Sequence, residues 1–266
     1  VQIFPIKFHI EVSHLINLIF SLSAIIGIKK ISKELFNEKV GQIVFLILFF
    51  YPSFFGHMAI NSKDAITAFC HVWIFFLFIQ YIKKQDIKHK ANNYINFIAI
   101  LSAVGSGLNF YFLGSLVPVF LFLLIDIFFL KKFICKSFDK KKILIDVARS
   151  FIIFYFLLVL FWIDTHPNIF VLPFSFFWEW FIGDFWRGIP VLLNGNYFVY
   201  EDIPKSYLIV NLIYKSPEYF LLTYIIFMAT FVNSNKFYKK KFFLFNYKLL
   251  LITSLVIFPF LLLFFT

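Results

Sequence analysis

The sequence predicts an all-α fold: a polytopic transmembrane helical bundle with one long outer-face loop carrying short amphipathic helices. Three observations predict it. Hydrophobic residues fill 61% of the 266 positions and charged ones only 15%, against about 45–50% and about 25% in soluble domains. Forty-four residues are Phe, with only nine Gly and nine Pro. The lysines, finally, fall in short runs between long apolar stretches. A soluble enzyme could not hide this much apolar surface from water, so that class is excluded, as are a disordered chain, a coiled coil and a disulfide scaffold. A net charge of +11 in a soluble chain would suggest nucleic acid. Here the placement of the lysines explains the charge, and no nucleic-acid partner is expected. Cys70 and Cys135 show no metal or disulfide spacing.

A membrane helix needs roughly 20 mostly apolar residues. Reading along the chain gives eight spans, near 12–28, 40–60, 65–82, 94–109, 110–130, 143–163, 217–233 and 248–265. The fourth and fifth are barely separated, by Gly105-Ser106-Gly107-Leu108-Asn109. They read as two short, tilted helices meeting at a break, which lipid tolerates only where protein or water covers the backbone. The chain begins and stops inside apolar runs, so residues 1–266 are expected to form a single, incomplete transmembrane domain of a longer protein.

Charge then orients the spans. Lys29, Lys30, Lys33 and Lys39 occupy one loop; Lys83, Lys84, Lys88 and Lys90 a second; Lys131, Lys132, Lys136 and Lys140 to Lys142 a third; Lys236, Lys239 to Lys241 and Lys248 a fourth. Together they are 19 of the 25 basic residues, all on alternate loops. That side is expected to be cytoplasmic, with Val1 outside. The expected localisation is a multi-pass integral membrane protein, in the inner (plasma) membrane if the source is bacterial.

One outer-face connection is long, from Asp164 to about Ser216, the 164–216 loop. It is dense in Trp and Phe, and a loop of this length without its own span is usually functional or disordered. The aromatic content argues for function. Phe174 to Phe185 reads as an amphipathic helix at the water–lipid interface, and the loop is expected to pack over the helix ends, since it would otherwise expose an oversized apolar patch.

Chemistry concentrates at the outer end of the second span, in Gly56-His57-Met58-Ala59-Ile60-Asn61-Ser62-Lys63-Asp64. Asp64 would sit at the N-terminus of the next helix, where the dipole favours a carboxylate. A capped helix start is one reading of this turn. The other is a phosphate site formed by Lys63 and nearby N–H groups, with Asp64 or His57 placing a metal or an acceptor. Spacing does not choose between them.

The stretch Gly56-His57-x-x-x-Asn61-x-Lys63-Asp64, before an apolar helix and a Lys-rich turn, resembles the polyprenyl-phosphate-sugar-dependent membrane glycosyltransferases. These are the dolichyl-phosphate-mannose–protein mannosyltransferase and aminoarabinose-transferase-like set, of the GT-C type. Glu11-Val12-Ser13-His14-Leu15-Ile16-Asn17, Lys33-Glu34-Leu35-Phe36 and Leu113-Gly114-Ser115-Leu116-Val117-Pro118 add to the resemblance, which covers most of residues 1–233. It implies an integral membrane glycosyltransferase that moves a sugar from a polyprenyl-phosphate carrier to an acceptor protein or glycolipid on the outer face, with membrane lipid as surroundings. It places the catalytic base in a preceding outer loop, upstream of Val1, and matches Asp64 to the second acidic position. Catalysis is thus expected at Asp64, donor-phosphate binding at Lys63, Asn61 and His57, and further donor or acceptor contacts at His14, Glu11 and Lys215. A divalent metal ion on Asp64 is the one cofactor implied. Ser13 and Leu108-Asn109 stand where the family often has basic residues.

Other ionisable residues read differently. His166, Glu179, Asp184, Arg187, Glu201, Asp202 and Lys205 are read as solvated loop residues. Asp146 and Arg149, three apart on one helix face, are expected to pair, with Asp126 nearby; His71 is expected to make an interhelical hydrogen bond. Two other classes compete with the transferase. A transporter or flippase for a lipid-linked sugar should show paired halves or mid-membrane charges, neither of which the sequence offers. A non-catalytic membrane scaffold is the third.

Overall fold

The computed structural model describes residues 8–109, 112–131, 134–135, 137–182, 191–193, 195–199, 202–204 and 206–233. They fall into two compact units, Val1–Phe177 and Trp178–Thr266. The eighth expected span, near 248–265, lies outside the described residues.

The first unit is built from long helices. α1 (His9–Leu35) runs to a lysine-rich end, α2 (Glu38–Phe49) and α3 (Pro52–His57) return, and α4 (Ser62–Lys83) runs parallel to α1. α5 (Lys88–Leu108) returns again, α6 (Phe112–Ser115) and α7 (Val117–Ile125) follow, and α8 (Lys140–Phe161) closes the set. α1 packs on α2 and α4, α4 on α5, and α5 on α8. Four stretches among the described residues are long and apolar enough to cross a membrane: His9–Leu35, Ser62–Lys83, Phe112–Phe129 and Lys140–Phe161. The chain is an all-α integral membrane protein. α8 presents Leu144, Ile145, Phe151, Ile152 and Phe156 outward, as a helix in lipid does.

Two departures from the expected spans have local causes. The span placed at 40–60 is broken into α2 and α3 at Pro52, the first residue of α3, after an extended Tyr51 (ψ 111°). Proline's ring disfavours helical backbone in the residue before it. Past α7 the chain widens into a π-helical turn, Asp126–Leu130, and stops at Lys131 in the left-handed region (φ 49°).

Lipid gives helices little hydrophobic reason to associate, so close packing and interhelical hydrogen bonds hold them. Glycine permits the approach of α1 to α4: a Cβ on Gly27 would lie 2.5 Å from Val72 Cγ1. Polar bonds then run along the pair. Trp73 Nε1 donates to Ser23 O and Oγ at 3.2 and 3.1 Å, and Lys30 lies over the Trp73 ring at 4.8 Å. Near the lysine-rich end, Glu34 accepts from Gln80 at 3.0 Å and from Lys83 at 2.5 Å.

That end also holds a buried polar network. Tyr81 Oη donates to Asp146 at 2.7 Å and accepts from Gln85 Nε2 at 3.2 Å. Gln85 exchanges two further bonds with the backbone of Asp139, at 3.0 and 2.7 Å. Asp146 therefore pairs with Tyr81, and the expected ion pair with Arg149 does not form: Asp146 is 4% exposed while Arg149 faces outward. At the tip of α2, Lys33 pairs with Glu38, which holds that exposed carboxyl below the usual range.

After α8 the chain turns through a short 3₁₀ segment, Ile163–Asn168, into α9 (Leu172–Ile182). It folds back on α8 as far as Phe176: Tyr155 Oη donates to Ile169 O, Tyr155 stacks on Phe174 at 5.8 Å and Trp162 meets Phe176 at 6.4 Å. His166 is spent on Val159 O at 2.9 Å.

In the second unit, β1 (Val191–Leu193) and β2 (Asn196–Phe198) form a small antiparallel hairpin, pairing Val191 with Phe198 and Leu193 with Asn196. Gly195 (φ 82°) sits in its connection. α10 (Tyr207–Lys215) and α11 (Glu218–Asn233) follow.

Candidate functional site

The turn singled out in the sequence joins α3 to α4 and is fastened to α1 by side chains. Asn17 Nδ2 donates to Ala59 O at 3.1 Å, and Ser21 Oγ donates to Met58 O at 3.2 Å. Asn17 and Ser21 are 2% and 1% exposed, and Met58 is equally buried. Both carbonyls lie just past the end of α3, where backbone acceptors have no helical partner. The sequence reading included Asn17 only as part of the α1 stretch and did not foresee either anchor.

Asn61 then starts α4 as its cap. Its Oδ1 accepts from Asp64 N at 3.2 Å, and its Nδ2 donates to Asp64 Oδ2 at 2.6 Å. This is the reciprocal logic of a capping box, here with the return bond made side chain to side chain. The capped helix start is thus realised, and Asp64 keeps its second oxygen clear of that bond. Lys63, on the same turn, is exposed and makes no ion pair among the described residues. The chain brings Asn61, Lys63 and Asp64 onto one exposed turn, a cation and a carboxylate at a helix N-terminus whose dipole favours anions.

The remaining expected residues are placed as follows. His57 ends α3, four positions before Asn61. His14 and Glu11 are exposed on α1. His14 is one turn before Asn17, about 60° around the helix, on the face whose next turns grip Met58 and Ala59. Lys215 closes α10 in the second unit, as Glu179 and Asp202 also belong to it. Asp184, Arg187, Glu201 and Lys205 lie outside the described residues. Among the described residues no group of three His, Cys, Asp or Glu side chains could hold a metal ion. Asp64 already accepts from Asn61 and belongs to no such group among the described residues, so these residues do not by themselves make a divalent-metal site.

Comparison with known proteins adds one finding. Residues 2–162, more than half of the chain, match the family described as dolichyl-phosphate-mannose-protein mannosyltransferase. The match takes in α1 through α8 and the whole Asn61–Asp64 turn, and leaves out Lys215. No curated protein and no solved structure matches the chain. A bundle of apolar helices, a capped turn carrying Lys63 and Asp64, and a match across both lead to one identification: the chain belongs to the dolichyl-phosphate-mannose-protein mannosyltransferase family, membrane glycosyltransferases of the GT-C type.

Proposed function

We propose that the chain transfers a sugar from a polyprenyl-phosphate carrier to an acceptor protein or glycolipid on the outer face of the membrane, and that the Asn61–Asp64 turn is where the donor's head group reacts. The observation that carries this reading is the pairing of an exposed Lys63 with an oriented Asp64 on a turn fastened to α1.

Each residue has a part. In the transfer the bond between the anomeric carbon and the phosphate oxygen breaks, and the acceptor oxygen bonds to that carbon. Its proton passes to a base, which the resemblance assigns to a carboxylate of another loop, and polyprenyl phosphate leaves. Lys63 stands where the departing phosphate gathers negative charge, and preorganised positive charge lowers the energy of such a state. Asp64 would repel that phosphate, so it belongs on the sugar side, where glycosyl transfer builds oxocarbenium character. Asn61 fixes the carboxylate, and His14 is read as a further contact to the head group. No step here is routed through a metal.

Two measurements test the reading. Full-length protein in liposomes, given dolichyl-phosphate mannose labelled in the sugar, should pass label to an acceptor protein or glycolipid. Failure with this donor and with other polyprenyl-phosphate sugars would overturn the activity. Lys63→Cys should react with an impermeant thiol reagent on intact cells; reaction only after permeabilisation would overturn the orientation.

A further inference from the structure

Helix α6 is latched to α4 beneath the candidate turn. His71 Nδ1 lies 3.2 Å from Ser115 Oγ, a contact across 44 positions of sequence. Ser115 gives its own hydrogen to Phe112 O at 2.6 Å, so its lone pairs accept and the imidazole donates. The His71 ring meets Phe112 edge-on, at 6.2 Å and 85°. Phe112 is 1% exposed, because it also fills the space left by Gly105, where a Cβ would come within 2.5 Å of its ring. One hydrogen bond, one ring contact and one missing side chain thus join α4, α5 and α6.

The position of this latch on α4 gives it meaning. Asp64 and His71 are seven residues apart, which puts them about 20° apart around the helix and about 10.5 Å apart along it. Phe69, which packs on Phe20 of α1 at 4.8 Å, lies about 140° from Asp64 on the same helix. Asp64 therefore shares the side of α4 that meets α6, not the side that meets α1. Thr67, between them, turns its hydroxyl back to Lys63 O at 2.7 Å. The two supports of the turn are then distinct. Asn17 and Ser21 hold the chain leading into it, and His71 holds the segment that stands on Asp64's own side.

We propose that His71 is a positioning residue for the sugar donor: through Ser115 it seats the 112–116 segment as the wall of the donor site facing Asp64. The inference rests on the functional reading above. A seated wall shapes the ground-state complex, so its loss weakens donor binding and leaves the chemical step alone.

The test combines accessibility with kinetics on full-length protein carrying Cys70→Ala and Cys135→Ser. Leu116 is 0% exposed, so Leu116→Cys reports on opening of the segment, while a Cβ added at Gly56 meets nothing within 4 Å and Gly56→Cys serves as a control. In His71→Ala, thiol labelling at 116 should rise at least about fivefold, as a local opening would produce, with labelling at 56 unchanged. The KM for dolichyl-phosphate mannose should rise about tenfold with kcat held within about twofold. Ser115→Ala should act likewise, and the double variant should be no worse than either single one, since both remove one contact. His71→Asn, which restores an N–H near Nδ1, should recover most of the loss, and with Ser115→Ala it covers the case that His71→Ala fails to fold. Unchanged labelling at 116, or additive losses in the double variant, overturns the latch. Faster labelling with an unchanged KM overturns its role in donor binding. If the parent protein neither binds nor turns over this donor, the functional reading and the positioning role fall together, and the labelling alone decides whether the latch exists.

Discussion

At the lysine-rich end of the bundle, Gln85 bonds to Tyr81 and to both backbone groups of Asp139, and Asp146 is buried against Tyr81. At the other end, Lys63 and Asp64 are exposed, and among the described residues the carboxylate is held by Asn61. The two ends carry similar residue types in opposite circumstances. Where polar groups satisfy one another inside the protein, their bonds hold helices together and leave nothing for a ligand. Where they are oriented but incompletely used, they add little stability and can meet a charged head group. Exposure and residual bonding capacity, rather than the mere presence of an ionisable residue within a span, separate the two roles.

Five substitutions break or sharpen that contrast. The largest effect is expected at the exposed end: Lys63→Ala should lower sugar transfer by about 10²–10³-fold, roughly 2.7–4 kcal/mol, the usual cost of one lost electrostatic donor. Asp64→Asn should lower it at least about tenfold within the same range, both without loss of membrane insertion. Transfer at the parent rate by either purified protein removes it from the site. Next, Gln85→Ala should destabilise the protein by about 1–3 kcal/mol, because it strands buried partners. Thermal melting in detergent measures this, and turnover per folded molecule should stay at the parent value. A large fall in turnover with unchanged melting would erase the distinction between the ends.

Asn17→Ala tests the border between the two roles. Losing one interhelical hydrogen bond in a membrane protein costs about 0.6–1.7 kcal/mol, a smaller melting shift than that of Gln85→Ala. Because the bond fixes the Met58–Asn61 turn, transfer should fall by more than the melting shift accounts for. The smallest effect belongs to Glu38→Gln. Glu38 has a depressed folded-state value owing to Lys33, so its contribution is present above the ordinary Glu value of about 4.3 and fades as the pH falls through the depressed one. The pair is exposed and screened by salt, so at ordinary salt the variant should melt close to the parent. Scans at low salt should bring out a small difference at neutral pH that closes in the acid range, where the parent's Glu38 takes up its proton.

Much of the bundle was legible because long apolar windows bounded by lysines leave few alternatives: α1, α4, the Phe112–Phe129 stretch and α8 follow the expected spans closely. The 40–60 stretch was read by apolar content, which says nothing of the break that Pro52 imposes. Spacing on α8 put Asp146 and Arg149 on neighbouring positions, yet about 60° of rotation separates a residue turned inward to Tyr81 from one left outside. The hairpin of the second unit has a sequence signal in Gly195, a residue favoured in tight hairpin turns, which apolar content does not register. At the site itself the motif supplied the residues. It could not supply Asn17 or Ser21 as anchors, since their partners are backbone carbonyls and carbonyls carry no sequence signature. The His71 hydrogen bond was expected, but its partner, Ser115, is fixed only by the fold.

The anchoring of the α3–α4 turn on α1 also sets an order of events during synthesis. Asn17 and Ser21 find their acceptors 42 and 37 residues later in the chain. At about 5–20 residues per second, α1 waits roughly 2–8 s with both polar groups unmatched. During that interval the nascent helix rests on its apolar residues and on the lysines at its trailing end. α1 and α4 run parallel, so the intervening segment must double back before they can meet. The turn bearing Lys63 and Asp64 is therefore a late product of biogenesis, completed only once α4 has reached its neighbour, and an insertion halted after α3 would leave the first helix without its anchored turn.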